Sequence, residues 1–241
     1  MVSTAGVVAA TQKQVEGGMN TDREQIEKLG RRPLDYYPTP AWPVYRLLEE
    51  LYPAPDGLPG QTVLPYRARW VEPCAGDGAL IRAVSDWTKR CSHQQFHIDW
   101  TANDIDPDRT ERLATLPLEG VSIGWPPNQE DALEWTPAQR FDVALMNPPF
   151  SRGLEFVRWG MTHANTTIAL LRLGFLASSK RCSFMRSNTP DVYVLPNRPS
   201  FTGDRRTDSY EYAWFIWRSS RMARSKGQIR ILADTPRKER K

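Results

Sequence analysis

"FDVALMNPPFS" (Phe141–Ser151) decides how this 241-residue chain is read. Phe141–Met146 is an apolar run of strand length. Asn147-Pro148-Pro149 ends it, because proline has a fixed φ and no N–H, so neither a ladder nor a helix continues. The sequence therefore delivers an amide, two rigid prolines and the Phe150 ring to the carboxyl end of a buried strand.

Working outward, strands and helices alternate. Strands are expected over Trp70–Cys74, Phe96–Asp104, Val121–Trp125, Thr167–Leu173, Val192–Leu195 and Tyr210–Trp217. Helices are expected over Gly78–Lys89, Pro107–Leu116, Arg152–His163 and Phe175–Arg186. Such alternation predicts an α/β fold with a mostly parallel sheet and helices on both faces. The last two strands read as a hairpin-type addition that makes the sheet mixed, with an antiparallel edge strand. Upstream, Ala41–Leu51 reads as a helix with an aromatic-aliphatic face, and Thr21–Gly30 as a short helix with a cap-like start and a glycine stop. A Pro/Gly-rich loop, Pro53–Gly60, lies between them and the alternating region.

Bulk properties exclude several classes. Hydrophobic residues make up 40% of the chain, ordinary for a globular protein, and no apolar run is long enough to cross a bilayer. "MVSTAGVVAATQKQVEGG" has neither the basic start nor the apolar centre of a signal peptide, so a cytoplasmic protein with a frayed N-terminus is expected. The cysteines, Cys74, Cys91 and Cys182, are odd in number and form no CxxC pair, which speaks against a disulfide framework and a zinc site. His93 and His97 have no third ligand nearby, so no metal is expected. The net charge of +4 is unevenly placed. From Arg218 onward nine basic residues face only Asp234 and Glu239, which reads as a cationic tail suited to a phosphate backbone or, equally, as a solvated end.

In a sheet of this kind ligands bind beyond the carboxyl ends of the strands, so chemistry is sought there. In "WVEPCAGDGAL", Glu72 ends a strand, and Gly76 and Gly78 open a helix. Glycines admit close backbone approach and the helix start offers N–H groups, although a plain structural turn has the same signature. The acid beside the turn would repel phosphate and welcome a cation. In "WTANDIDPDR", Asp104 stands where a carboxylate can accept both ribose hydroxyls, or serve as a turn residue, while Asp106 suits a helix cap. In "NQEDALEW", Asp131 has the chemistry to accept from an exocyclic amine of adenine, or to cap. Each signal is weak alone. Their order along the chain, ending in Asn-Pro-Pro-Phe, is specific.

That order resembles the S-adenosylmethionine-dependent amino-methyltransferases of the DNA adenine-N6 type. "YYPTP", "VEPCAGDGAL", "NDIDP", "EDAL" and "MNPPFS" carry the resemblance, which spans Asp35–Trp217 in a gamma-like motif order. Tyrosine is commoner than phenylalanine at the last motif position. The resemblance implies a Rossmann-like class I methyltransferase fold with a seven-stranded sheet. It implies S-adenosyl-L-methionine as cofactor, with S-adenosyl-L-homocysteine as product. Cofactor contacts would come from Tyr37, Pro38, Thr39, Glu72, Pro73, Ala75, Gly76, Gly78, Asp104, Ile105, Asp131, Ala132 and Asn147, with "YPTP" around the methionine end and Thr39 at its carboxylate. Catalysis would fall to Asn147, Pro148, Pro149 and Phe150. The Asn147 side-chain oxygen and the Pro148 carbonyl would accept the amine protons and localise the nitrogen lone pair, and Phe150 would stack on the base.

A second aromatic, Phe201, would stack on the other side, and Arg205 and Arg206 would contact DNA. Phe175 follows a strand end, where two roles are open, contact with the cofactor and, the preferred one, packing in the core. The partner would be double-stranded DNA with base flipping, because a stacked base cannot reach such a pocket. Similar chemistry on cytosine N4, an RNA base or a protein glutamine stays open, as does a non-catalytic nucleic-acid-binding protein on this fold. The implied division is an N-terminal tail with a short helix (1–30), a catalytic domain (31–218) containing a target-recognition insert (178–208), and a basic tail (219–241). So little spare chain implies a short target site, in a monomer or homodimer. Small solo enzymes of this kind go with restriction-modification or phage settings.

Overall fold

The computed structural model describes residues 37–52, 64–91, 95–116, 121–123, 127–201, 209–219 and 227–240. The expected helix over Thr21–Gly30, the loop over Pro53–Gly60 and His93 lie outside them. The chain divides into two units, Met1–Tyr37 and Pro38–Lys241, and the second contains all of the described helices and strands.

Helix α1 (Ala41–Leu51) lies where its apolar stripe predicts, burying Trp42, Val44, Leu47, Leu48 and Leu51. Pro43 is tolerated because it stands in the first turn, where its N–H would have no helical partner. Its carbonyl accepts a buried bond from Trp214 Nε1 at 2.9 Å, which ties the helix to the sheet. The other elements are β1 (Arg67–Glu72), α2 (Ala79–Arg90), β2 (His97–Ala102), α3 (Pro107–Ala114), β3 (Val121–Ile123), β4 (Phe141–Met146), α4 (Gly153–His163), β5 (Ala164–Arg172), α5 (Cys182–Ser187), β6 (Asp191–Val194), β7 (Tyr212–Arg218) and β8 (Ile229–Ile231).

These strands form one sheet in the order β3-β2-β1-β4-β5-β7-β6-β8. Among the described strands only β7 runs against its neighbours. The seven expected strands are all present, with two differences. The antiparallel strand is not at an edge: β7 inserts between β5 and β6 and pairs along its whole length with β5, from Thr166↔Arg218 to Arg172↔Tyr212. An all-apolar strand such as Tyr212–Trp217 is stable only with both faces covered, which an inner position provides. The second difference is the eighth strand. Residues 219–241 read as a tail by charge, yet Ile229–Ile231 pairs in parallel with β6, and Leu232 and Thr235 are buried behind it. Asn197 and Asp234 are hydrogen-bonded through their side chains, Thr235 N–H donates to Asn197, and Arg46 donates to the Thr235 hydroxyl. Arg218, counted with the tail, is half-buried in an ion pair with the buried Asp191.

Residues 178–201 build short helical turns, α5 and the core strand β6, whose Val192 and Tyr193 are buried in the sheet. Phe175 packs in the core as expected, with ring centroids 5.7 Å from Phe215 and 6.4 Å from Trp217.

The chain runs from β1 to β2 to β3 in one direction, and β4 to β5 in the other. The switch point therefore lies between β1 and β4, which pair at Trp70↔Val143 and Val71↔Ala144. A crevice opens at such a point outside the carboxyl ends of the two strands.

Gly78 stands in the turn that follows β1. This residue starts α2 with φ near +80°, and a Cβ there would come 2.5 Å from Leu116 Cδ1 and 3.0 Å from Leu113 Cδ2. Both backbone and space demand glycine. Gly78→Ala is expected to destabilise the protein by about 2 kcal/mol or more, combining left-handed backbone strain with overpacking. Thermal denaturation would show this as a melting temperature roughly 4–8 °C lower. An unchanged melting temperature would mean that the turn relaxes freely.

Candidate active site at the sheet switch point

β1 ends at Glu72, which is buried at 3% exposure. The turn after it is splinted by β2. Ala75 N–H donates to the Asn103 carbonyl at 2.8 Å, and Gly76 N–H to Asp104 Oδ2 at 2.7 Å. Gly76 and Gly78 both take positive φ, which is what lets the chain fold back there. Glu72 accepts from the Ile81 N–H in the first turn of α2. Its other oxygen, Oε2, is buried with no partner among the described residues. Desolvation, then the nearby Asp104 and Asp77 carboxylates, push the Glu72 carboxyl well above the ordinary range. A buried acid with an unsatisfied oxygen is costly unless a donor or cation meets it.

Cys74 lies across from β4, its Sγ 3.9 Å from the Asn147 carbonyl oxygen. Burial, with Glu72 and Asp104 behind it, raises the thiol well above its usual value. It stays protonated and is a poor nucleophile.

Asp104, at the end of β2, is more committed than the sequence suggests. Oδ2 takes Gly76 N–H, Oδ1 takes Asp106 N–H at 3.0 Å, and Arg109 Nη1 stands 3.7 Å from Oδ1. Each carboxylate oxygen has two lone-pair directions, so acceptor capacity is left over for hydroxyls, but the group is first a splint for the glycine turn. Asp106 caps α3 by accepting from Asp108 N–H, as the sequence predicts. Ile105, between them, is a large apolar side chain left 51% exposed beyond the end of β2.

Asp131 is likewise held. Oδ1 accepts from Leu133 N–H at 3.0 Å and Oδ2 pairs with Arg152 at 3.2 Å. These contacts, the Leu133 bond first, keep its carboxyl below the usual range. Of the two roles open in the sequence, the capping one is the geometry seen. Ala132 is buried next to it.

β4 delivers the amide. Asn147 Nδ2 donates to Thr39 Oγ1 at 3.0 Å, and Thr39 is itself 6% exposed. Pro148 is buried, and Pro149 turns the chain so that Phe150 opens a single helical turn before α4. Thr39 therefore contacts the Asn-Pro-Pro-Phe motif through Asn147.

Phe150 sits in an aromatic cluster. Its centroid is 6.0 Å from Tyr212 and 6.5 Å from Phe201, the latter at 73°. Phe201 is buried, and at that separation and angle the two rings leave no slot for a base between them. Sandwiching a base would require one ring to swing. Nothing in the sequence points to Arg172, at the end of β5. Its guanidinium lies 4.5 Å from the Phe150 centroid and 3.8 Å from that of Tyr210, so a cation covers the Phe150 ring.

Asn103 is a second site residue that sequence reasoning misses. It is fully buried and bonds the Pro73 carbonyl, the Glu130 carbonyl and the Glu130 N–H through its side chain, joining the loops after β1 and β2 to the segment before Asp131. An amide directly before a strand-end acid is the only local clue. Tyr37 falls in the other unit, and Arg205 and Arg206 lie outside the described residues. A separate pocket of about 380 Å³ opens between α1, the end of α2 and the C-terminal segment, and none of the strand-end residues lines it.

This arrangement has known counterparts in fold. A class I S-adenosylmethionine-dependent methyltransferase from Listeria monocytogenes superposes with a TM-score of 0.58 at 13% identity over 79% of this chain. The fold is that of the class I methyltransferases. The methyltransferase subunit of a type I restriction-modification system from Streptococcus thermophilus gives 0.55 at 16% identity over 83%, and a chain of another type I assembly gives 0.53 at 19% over 86%. The chain spans 62%, 50% and 46% of the length of these three structures. No family model matches the sequence, and no curated protein does.

Proposed function

We propose that the chain is an S-adenosylmethionine-dependent methyltransferase that acts on the N6 amine of adenine in DNA. The observation that carries this reading is the placement of Asn147-Pro148-Pro149-Phe150 at the end of β4, across the switch point from the glycine turn and the unsatisfied Glu72 carboxyl. The residues fit the cofactor on three counts. Glu72 Oε2 is a buried acceptor awaiting a donor, suited to an ammonium group. The Gly76 turn admits close backbone approach. Ile105 offers an exposed apolar surface for a purine, beside the acceptor capacity left on Asp104. When bound, the cofactor supplies an electrophilic methyl group.

The chain's own task is to make a reluctant nitrogen nucleophilic. The exocyclic amine of adenine shares its lone pair with the ring. The Asn147 side-chain oxygen and the Pro148 carbonyl accept its protons and favour a pyramidal nitrogen. Thr39 and the two prolines hold those acceptors fixed, so nothing must reorganise at the moment of reaction. Stacking on Phe150 orients the base, and closing the site on it excludes water. A base in a duplex has to flip out to get there. DNA is favoured over a protein glutamine by the gamma-like motif order and by the cationic side chains clustered toward the C-terminus.

The test is transfer of labelled methyl to unmethylated DNA, RNA and protein in parallel, followed by nucleoside and amino-acid mass spectrometry. N6-methyladenine in DNA is the expected product. N4-methylcytosine, a methylated RNA base or methylglutamine in its place overturns the substrate, and no transfer to any polymer overturns the enzyme. Because the sheet takes Asp191–Val194 and Ile229–Ile231 out of the little chain left over for a target-recognition segment, the target is expected to be short. Single-molecule sequencing of DNA from expressing cells would reveal a long, strictly methylated motif if that is wrong.

A further inference from the structure

We propose that Thr39 is a positioning residue that selects the reactive orientation of the Asn147 amide, rather than a ligand of the cofactor carboxylate. This rests on the reading of Asn147 as acceptor for the target amine. An asparagine side chain presents one donor end and one acceptor end, and a half-turn about its last torsion exchanges them. Only one orientation aims oxygen at an amine, and the other sets N–H against N–H. Asn147 follows a buried strand and precedes two prolines, so its backbone is fixed while its amide could still rotate.

A bond that opposes the rotation comes from 108 residues away, where the Thr39 hydroxyl accepts from Nδ2 at 3.0 Å. Thr39 is placed rigidly enough for that. Pro38 and Pro40 bracket it, and Pro40 caps α1. That helix is pinned by buried Val44, Leu47, Leu48 and Leu51 and by the Trp214–Pro43 bond. Thr39 is 6% exposed, so water does not compete for the bond. Acting through another side chain, Thr39 would leave cofactor binding alone and change turnover.

The experiment compares Thr39→Val, which keeps shape and burial but has no acceptor, with Thr39→Ser, which keeps the acceptor. Turnover of Thr39→Val is expected to fall roughly ten- to a hundred-fold, the scale of one buried hydrogen bond lost from the transition state, with calorimetric affinity for the cofactor unchanged. Thr39→Ser is expected to recover most of the turnover. Weakened cofactor binding in Thr39→Val with unchanged turnover overturns the proposal and returns Thr39 to the cofactor. A second readout does not depend on activity. With ¹⁵N-labelled asparagine, the Asn147 side-chain amide is identified as the signal missing from Asn147→Ala. In the unliganded protein its protons are expected to be protected from exchange, and in Thr39→Val they are not. Equal protection in both overturns the proposal. If the unaltered protein methylates nothing, the methyltransferase reading fails, while this amide signal still shows whether Thr39 holds Asn147.

Discussion

Asn147→Ala is expected to leave the protein folded and able to bind S-adenosylmethionine, and to lower methyl transfer on the order of a hundred- to a thousand-fold, the loss seen when one preorganised polar group is removed from a developing charge. The structural cost is small. Asn147 is only half-buried, and its side-chain bond to Thr39 is worth about 1 kcal/mol. The catalytic cost is larger because the amide oxygen is one of two acceptors for the amine, and the other, a main-chain carbonyl, is fixed by the prolines and cannot move to compensate. Asn147→Asp discriminates further. It keeps an acceptor but loses the donor to Thr39, and it adds a charge near Glu72 and Cys74, a site already short of solvent. It too is expected to be inactive at neutral pH. Radiolabel transfer under single-turnover conditions, with cofactor affinity measured by calorimetry, checks both. Turnover of Asn147→Ala close to that of the unaltered protein removes the amide from the mechanism.

Local signals make much of this fold legible. The run Phe141–Met146 starts and stops where predicted, because an apolar strand closed by Asn-Pro-Pro has no freedom in its boundary. Helix α1 likewise matches at both ends, bracketed by Pro40 and by Tyr52 before the next proline. The differences are non-local. Nothing within Tyr212–Arg218 says that it enters the sheet between β5 and β6 rather than adding at an edge. The segment after Arg218 reads as a tail by its charge, yet Leu232 and Thr235 are buried while, among the described cations, Arg230, Arg237 and Lys238 stay exposed. At the site, the sequence identifies the carboxylates at the strand ends but not their partners. Asp104 and Asp131 spend lone pairs on main-chain N–H groups that only the folded turns bring near. Arg172 over Phe150 and Thr39 on Asn147 join distant segments, and neither has a sequence signature.

Glu72 carries the second large expectation, in which stability and function move in opposite directions. Its carboxyl is buried, one oxygen lacks a partner among the described residues, and Asp104 and Asp77 add repulsion to the desolvation that raises it. A folded-state carboxyl held above its unfolded value keeps its proton where the unfolded chain has already released one. Stability is therefore full below the ordinary glutamate value, about 4.3, and declines as pH rises from there through the raised folded value. Glu72→Gln removes that dependence. The neutral amide still accepts from Ile81 N–H and places no charge beside Asp104 and Asp77. The variant without cofactor is thus expected to melt higher than the unaltered protein at pH 7–8, with the difference shrinking toward pH 4. Cofactor binding should respond oppositely. If Glu72 meets the ammonium group, losing its charge costs about 2 kcal/mol or more, a greater than tenfold rise in Kd, and in the unaltered protein binding should tighten as pH rises and the carboxyl ionises. Melting curves across pH with and without cofactor separate the claims. A glutamine variant no more stable at pH 8 denies that burial raises the carboxyl, and one that binds as tightly denies its role toward the cofactor. A protein that keeps a destabilising acid at this position where glutamine would fit is one in which ligand binding, not the unliganded fold, sets the residue.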